Sequence, residues 1–524
     1  MTAYSDDEED ARLNSLGYKK SLTRGLTQLA NFGFGFTEVG ILVSISMLYG
    51  QALEAGGPSV LLWGFIVSYA MFTVTVYCMA EICSAYPCAG SVYHWSSLVT
   101  PERYAPLASY ICGWSNFIGN AAGDASFAYG FASLLNAAIE ASGGQEYDSY
   151  GVVAVSIAVI FLWSFLCYFE IEKLGAVVNG ASLIQMSSIL IIIISLFASA
   201  SSLNSSSFVF TEFNNDTGFT DKSYVVVVGL VVSLYAFSGF ECSAHMAEET
   251  VSSSVSAPNG MINTVLASGV GGLIYRFAVL YTTNIDSALA TDDSNGFTLT
   301  DTASINVFIQ TCGQSYGAGL AWLIVVNIFF AGLSSVAVTG RITFALMRDD
   351  AFPYSEYLMQ VDADTKSPIR AIFFVFIFDA LLLLLPLNSN SGVTAFESIV
   401  GLCTLGFQIS YGLPILLKLY FNTTLPDAPL SLGEWSRPMG LVSVIWLFGT
   451  SSFFFLQSEY PVTASNFNYL VAVVAAVVLI CALYWNLQGH KTFRGPNRGK
   501  SVDSSRAGES YTSQAGLISG IYQS

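Results

Sequence analysis

Apolar residues in this chain gather into long runs, and polar residues are confined to short stretches between them. Runs such as VVAVSIAVIFLWSFLCYF, SLIQMSSILIIIISLFASA and AIFFVFIFDALLLLLPL reach the roughly 20 residues that a helix needs to cross a bilayer. With no water at that depth, a single spanning segment must satisfy its own backbone donors and acceptors, which a helix does. The pattern predicts twelve spans, at residues 25–50, 60–84, 105–138, 151–170, 174–199, 224–247, 260–283, 304–332, 369–387, 394–420, 438–457 and 467–486. Those longer than 30 residues include tilted or loop ends. The expected fold class is an all-α polytopic membrane protein.

Composition sharpens this picture. Of the 524 residues, 53% are hydrophobic and 11% charged, against about 25% charged in a soluble domain. The nine Cys are scattered through apolar runs without CxxC pairs, and the three His stand far apart, at 94, 245 and 490. Neither a disulfide framework nor a zinc site is expected. No catalytic constellation is visible, so the chain is not expected to be an enzyme, to carry a cofactor or to bind nucleic acid; its surroundings are the lipid bilayer. The net charge of −18 belongs mostly to loops and tails. The start, MTAYSDDEED, lacks the basic region and cleavage site of a signal peptide, which leaves targeting to the first apolar helix. Residues 1–24 and the Ser/Gly-rich 487–524 are expected to be disordered tails around a twelve-helix unit at 25–486.

Twelve spans put both termini on one side, together with seventeen of the nineteen Lys and Arg; the opposite loops hold only Lys222, and Arg276 falls inside a span. By the positive-inside rule the termini are cytoplasmic. The triplets at Asn204 and Asn215 would then be outward-facing glycosylation acceptors, whereas Asn422 would face the cytoplasm. The plasma membrane is the default location.

Two spans are interrupted. Span 6 carries FSGFE at residues 237–241, and span 1 reads NFGFGFTEVG, with Gly33, Gly35 and Thr37 before Glu38. Glycine weakens a helix, and Ser offers its backbone alternative hydrogen bonds. A broken helix at membrane depth is tolerated only where it lines a cavity or is buried in protein. Two interrupted segments five spans apart point to a transporter built from inverted repeats. Glycines also permit close helix packing, which is the plainer explanation for either segment alone. Glu38 and Glu241 favour the binding role, because an ionisable group at depth costs several kcal/mol.

SGFECSAHMAEETVSSSVSAPNGMI resembles the amino acid/choline transporter family of the amino acid–polyamine–organocation superfamily, a family that includes GABA, choline and polyamine permeases. MAEICSAYPCAGSVYHWS (79–96), GLSSVAVTGRITFALMRDDAFP (332–353), ESIVGLCTLGFQISYGLPI (397–415) and YPVTASNFNY (460–469) are similar to further segments of that family. The resemblance covers about residues 25–495. It implies a five-plus-five inverted-repeat fold with two extra C-terminal helices, repeat one at 25–199, repeat two at 224–420 and the extra pair at 438–486. It implies a secondary transporter of amino acids or related amines, GABA-like or cationic, or alternatively of choline or polyamines; a non-transporting nutrient receptor is the rival from another class. Substrate would lie between the broken spans 1 and 6, lined by spans 3 and 8. Gly35, Phe36 and Thr37 would face its carboxylate, and carbonyls near Phe237, Ser238, Gly239 and Phe240 its amine. Phe237 or Phe240 would close over it, or else pack in the core.

Charges at depth depart from the family pattern. These are Glu38, Asp124 (near Asn120 in span 3) and Arg276; the extra carboxylates would select a cationic substrate such as lysine, arginine, a polyamine or choline. Arg276 cannot shed its proton and needs an anionic partner or water; Asp124, Glu38 and Glu241 are the candidates, and a structural ion pair or snorkelling is the plainer outcome. Glu241, His245 and Glu248/Glu249 share one helix face, either a gate or proton route through His245 or, for Glu248 and Glu249, a solvated helix end. Ser334 and Ser335 in span 8 place hydroxyls where relatives of the fold hold sodium, though small hydroxyl residues also pack helices. Lys173 stands at the entry to span 5 and not at its middle. Coupling to H⁺, to Na⁺ or to no ion remains open.

Overall fold

The computed structural model describes residue 14 and residues 24–496, apart from 170, 291–296, 363, 364, 366 and 389–391. The two expected tails lie outside these residues, except for 14, 24 and 487–496. The described residues form helices joined by irregular segments, with two isolated β-bridges, Leu26 with Thr250 and Ala55 with Asn215.

The helices that build the molecule are α1 (Gln28–Val39) and α2 (Ile41–Met47), α3 (Gly57–Ala85), α4 (Ala105–Ala141), α5 (Ser149–Leu166), α6 (Ile171–Ser199), α7 (Lys222–Tyr235) and α8 (Cys242–His245). They continue as α9 (Ser253–Thr282), α10 (Gln314–Arg348), α11 (Ile369–Leu382), α12 (Gly392–Tyr420), α13 (Ser436–Ser451) and α14 (Leu470–Tyr484). Several starts carry side-chain caps. Thr27 Oγ1 accepts from Ala30 N at 3.2 Å, Asp148 from Gly151 N at 2.8 Å and Asp221 from Ser223 N at 2.8 Å, each meeting an amide that the helix itself cannot satisfy.

Among the described residues, ten helical segments are long and apolar enough to cross a membrane. The two expected spans not among them are informative. α4 has the length, at 37 residues, but its centre, YICGWSNFIGNAAGDASFAYG, is diluted by Gly, Ala, Ser, Asn and Asp. α7 has only 14 residues before the chain breaks. α4 brings the buried Asn116, Asn120 and Asp124 into the interior, and α7 ends at the second break.

Span 8 is the largest boundary error of the sequence reading. Residues 303–312 form a separate helix, Gly313 turns at φ 86°, and α10 runs on to Arg348. The extension carries two arginines because both are paired. Arg341 Nε donates to Glu249 at 3.0 Å, and Arg348 Nη2 to Glu248 at 3.1 Å.

α4 runs through the middle, with α10 and α12 packed along it. α4 and α12 cross with no side chain between them: a Cβ on Gly406 would lie 2.6 Å from Gly119 Cα, and one on Gly119 would lie 3.0 Å from Phe407 N. The loop after α6 treats the two acceptor asparagines differently. Asn215 is exposed, while the Asn204 amide is half-buried and donates to Leu280 O at 2.9 Å and Thr283 O at 2.6 Å.

Candidate functional site

The first break falls at Gly40, between α1 and α2. Gly40 adopts φ 50° and ψ 46°, and its amide still reaches back to Phe36 O at 3.4 Å. The break expected at Gly35–Thr37 is therefore displaced: Gly33 and Gly35 are helical, and their missing side chains serve close approach. A Cβ on Gly35 would sit 2.6 Å from Thr264 Oγ1 and 3.0 Å from Ser243 Oγ, and one on Gly33 2.9 Å from Asn179 Oδ1. Gly35, Phe36 and Thr37 form the last turn of α1, all buried. Thr37 Oγ1 bonds Ser182 Oγ of α6 at 2.9 Å.

The second break runs from Ala236 to Glu241, between α7 and α8, as the sequence indicates. Phe237 N and Ser238 N fold back onto Leu234 O and Tyr235 O at 3.4 and 3.0 Å. Gly239, at φ 91°, turns its amide to the Tyr411 hydroxyl of α12 at 3.0 Å. A side chain on Gly239 would meet Glu38, whose Oε1 lies 3.1 Å from the Cβ position. The two breaks thus touch through Glu38 and Gly239.

A polar network surrounds that contact. The Tyr411 hydroxyl donates to Glu241, and Asn116 and Asn120 of α4 donate to the same carboxylate at 3.1 and 3.5 Å. Asp124, one turn beyond Asn120, accepts from Ser335 of α10. The neighbouring Ser334 donates to Phe34 O of α1 at 3.0 Å. Several acceptor atoms here are buried without a partner among the described residues: Glu38 Oε2, Asn116 Oδ1, Asn120 Oδ1 and Asp124 Oδ2. A buried acceptor left unpaired costs about 1–3 kcal/mol, so this surplus is chemically suited to a ligand rich in N–H donors.

Of the aromatic candidates, Phe237 packs among Phe65, Tyr69 and Phe72 of α3, with ring centroids 5.0–6.0 Å apart, the core alternative of the sequence reading. Phe240 lies against Tyr411 at 4.7 Å and so borders the network. Phe36 stacks on Phe32 at 5.5 Å.

Arg276 stands apart from the breaks and has none of its three candidate carboxylates as a partner. Its Nη1 donates to Leu61 O at 2.9 Å, and its guanidinium lies 4.6 Å from the centroid of the Phe65 ring. It is neither ion-paired among the described residues nor snorkelling, being 1% exposed. A carbonyl and an aromatic face hold the cation in place of an anion.

The face from Glu241 onward is not a solvated helix end. His245 Nδ1 bonds Ala89 O at 2.8 Å. Glu248 accepts from Ala89 N at 3.0 Å and from both Nη atoms of Arg348, and Glu249 holds Arg341. Both glutamates are buried. Burial pushes the Glu248 carboxyl up, but Arg348 and the Ala89 amide outweigh it and hold the group below its ordinary 4.5. The same end is closed by backbone bonds: Leu26 N to Glu249 O at 2.9 Å and Val251 N to Leu26 O at 3.0 Å. Asn31 Nδ2 adds bonds to Ser243 O and Thr250 Oγ1 at 2.8 and 2.9 Å.

Sequence reasoning missed Asn116, Tyr411 and Ser182.

Comparison with known proteins adds the following. A family profile described as "Amino acid permease" matches residues 26–478. "Amino-acid permease BAT1" of Arabidopsis thaliana is 32% identical over 507 residues, 94% of this chain and 96% of that protein. Its homolog in Oryza sativa subsp. japonica is also 32% identical, with 94% and 96% covered. An uncharacterized amino-acid permease of Schizosaccharomyces pombe is 27% identical over 95% of this chain and 88% of its own length.

Proposed function

Because the chain belongs to the amino acid permease family, an integral membrane family that transports amino acids, we propose that it is a secondary transporter working by alternating access around the paired helix breaks. The observation that carries this reading is the contact between Glu38 and Gly239, where two interrupted helices meet at depth. No bond is made or broken. An ion gradient supplies the free energy, and H⁺ or Na⁺ is the coupled ion.

The substrate amine faces the surplus of acceptors at Glu38, Asn116 and Asn120, beside the carbonyls of residues 237–240. The substrate carboxylate faces the backbone at the Gly40 break. Glu241 is held by Tyr411 and the two asparagines and fixes the shape of the break. GABA-like or cationic amino acids suit this balance. The acceptor surplus favours polyamines as a second reading, and less so choline, whose nitrogen carries no N–H and would leave those acceptors unpaired. The paired arginines and the Leu26–Val251 bonds form the closed cytoplasmic gate, and the protein resides in the plasma membrane with both termini inside.

The test is counterflow of labelled GABA, alanine, arginine, glutamate, choline and putrescine in proteoliposomes, with and without imposed pH or sodium gradients. Uptake of amino acids is expected. Gly239→Leu should abolish it while the protein still inserts, because φ 91° and the Glu38 side chain both exclude leucine. Normal uptake by correctly inserted Gly239→Leu would sink the broken-helix site. Failure of all six compounds with folded wild-type protein would bring the receptor reading forward.

A further inference from the structure

Arg276 is a full positive charge that the site above leaves unused. It is buried on α9 and does not shed its proton. Nη1 donates to Leu61 O, and the guanidinium lies over the Phe65 ring, but Nε and Nη2 have no partner among the described residues. A carbonyl and a ring face supply partial charges only, so the cation is not neutralised. The acids on the helices packed against α9 are placed elsewhere. Glu81 of α3 is held by Lys418, and Glu248 and Glu249 by the arginines of α10. Glu172 stands in the first turn of α6, and Glu38 lies against Gly239.

Packing sets this charge one side chain away from both breaks. Gly272 is one turn before Arg276 on the same face of α9. A Cβ on Gly272 would sit 2.7 Å from Ile41 Cγ1 and 2.7 Å from Phe65 Cζ, and Ile41 directly follows Gly40 at the first break. Phe65 also reaches the second break, its ring centroid 5.0 Å from that of Phe237 and 4.6 Å from the Arg276 guanidinium. Two side-chain bonds pin α9 along the continuation of the first broken span, Tyr275 to Ser46 at 2.8 Å and Thr283 to Tyr49 at 2.6 Å. The first break therefore has a carboxylate before it, at Glu38, and an unneutralised cation beside the residue that follows it.

We propose that Arg276 determines selectivity through its field, favouring substrates that carry a carboxylate and setting which way round they lie. The inference rests on the transport reading above and narrows it to amino acids over their decarboxylated amines. Ile41 and Phe65 stand between Arg276 and the breaks, so the residue acts at a distance and not by contact. A unit charge about 10 Å away, at an effective dielectric constant of about 20, is worth roughly tenfold in affinity. The attraction applies to a carboxylate on the Ile41 side of the break, and Glu38 draws the amine to the other side. A diamine meets the same field as repulsion at its second nitrogen. The acceptor surplus at Glu38, Asn116 and Asn120 recognises the amine alone; Arg276 supplies the opposite sign that a zwitterion needs.

The experiment measures counterflow in liposomes with full-length protein and matched competitors: lysine against cadaverine, arginine against agmatine, and GABA against propylamine. Each pair differs by one carboxylate. In wild type the amino acid should compete at least about tenfold better than its amine. Arg276→Gln keeps a donor for the Leu61 carbonyl and removes the charge; it should lower that ratio by about tenfold, with the loss on the amino acid side. Arg276→Lys keeps the charge and should hold the ratio within about threefold of wild type. A purely structural role would weaken both members of each pair alike. An unchanged ratio in Arg276→Gln, or a ratio lost equally in Arg276→Lys, would overturn the inference. So would wild-type protein that takes amine and amino acid equally well, a result that needs no variant to fold. Absence of counterflow in folded wild type for every compound would instead bring down the transport reading, and this inference with it.

Discussion

Tyr411 shows how much of this site depends on single contacts. Its hydroxyl donates to Glu241 and accepts from Gly239 N, so one oxygen joins α12 to both ends of the second break. Tyr411→Phe keeps the ring against Phe240 but leaves a buried amide and a carboxylate oxygen unpaired, each at about 1–3 kcal/mol. Counterflow should fall on the order of tenfold or more, with a lowered melting temperature; an unchanged rate would show that the hydroxyl does not shape the break. Residues of this kind divide by how visible they are in sequence. Glu38, Gly239 and Glu241 were legible because a charge or a glycine is anomalous inside an apolar run. Asn116 and Tyr411 were not, since neither is unusual in a helix and their importance comes from a partner more than 100 positions away in the chain. Arg276 was legible as an anomaly and misleading as to partner, because sequence shows charges and does not show a carbonyl or a ring face.

At the scale of elements, apolar runs located the helices, and the errors lie where backbone geometry or a distant side-chain partner decides. Gly33, Gly35 and Gly40 look alike in NFGFGFTEVG, yet only Gly40 is left-handed; the other two let Thr264, Ser243 and Asn179 come close. α10 was cut short because Arg341 and Arg348 read as a loop, and only their pairing with Glu249 and Glu248 explains a helix that continues through them. That pairing has a pH signature. The Glu248 carboxyl is held below its ordinary 4.5, so its contribution to the folded state is complete above that value and is lost as pH falls through the lowered one. Glu248→Gln should cost about 3 kcal/mol between pH 5 and 8, the scale for breaking a buried pair. The difference from wild type should shrink below about pH 4.5. Thermal melts across pH check this, and a gap that persists in acid would assign the stabilisation to packing.

Over the whole molecule, the chain end before α1 is paired with the segment after α8 through Leu26 and Thr250. If this is the gate that opens inward, joining the strands should stop the cycle. Leu26→Cys with Thr250→Cys places thiols on paired residues, within the span that a disulfide bridges. Oxidation should reduce transport to background and a reductant should restore it. Transport that continues after the cross-link has formed would place the moving parts elsewhere.

The crossing of α4 and α12 at Gly119 and Gly406 has a mechanical meaning. Backbone rests on backbone there, with no cushion of side chains to slide over, so relative movement is confined to rocking about a fulcrum. α4 extends 14 residues on one side of Gly119 and 22 on the other, arms of about 21 and 33 Å. A tilt of about 10° therefore carries one tip about 4 Å and the other about 6 Å in opposite directions. Leverage of this kind would widen one mouth of the protein while narrowing the other, from a rotation too small to disturb the contacts at its pivot.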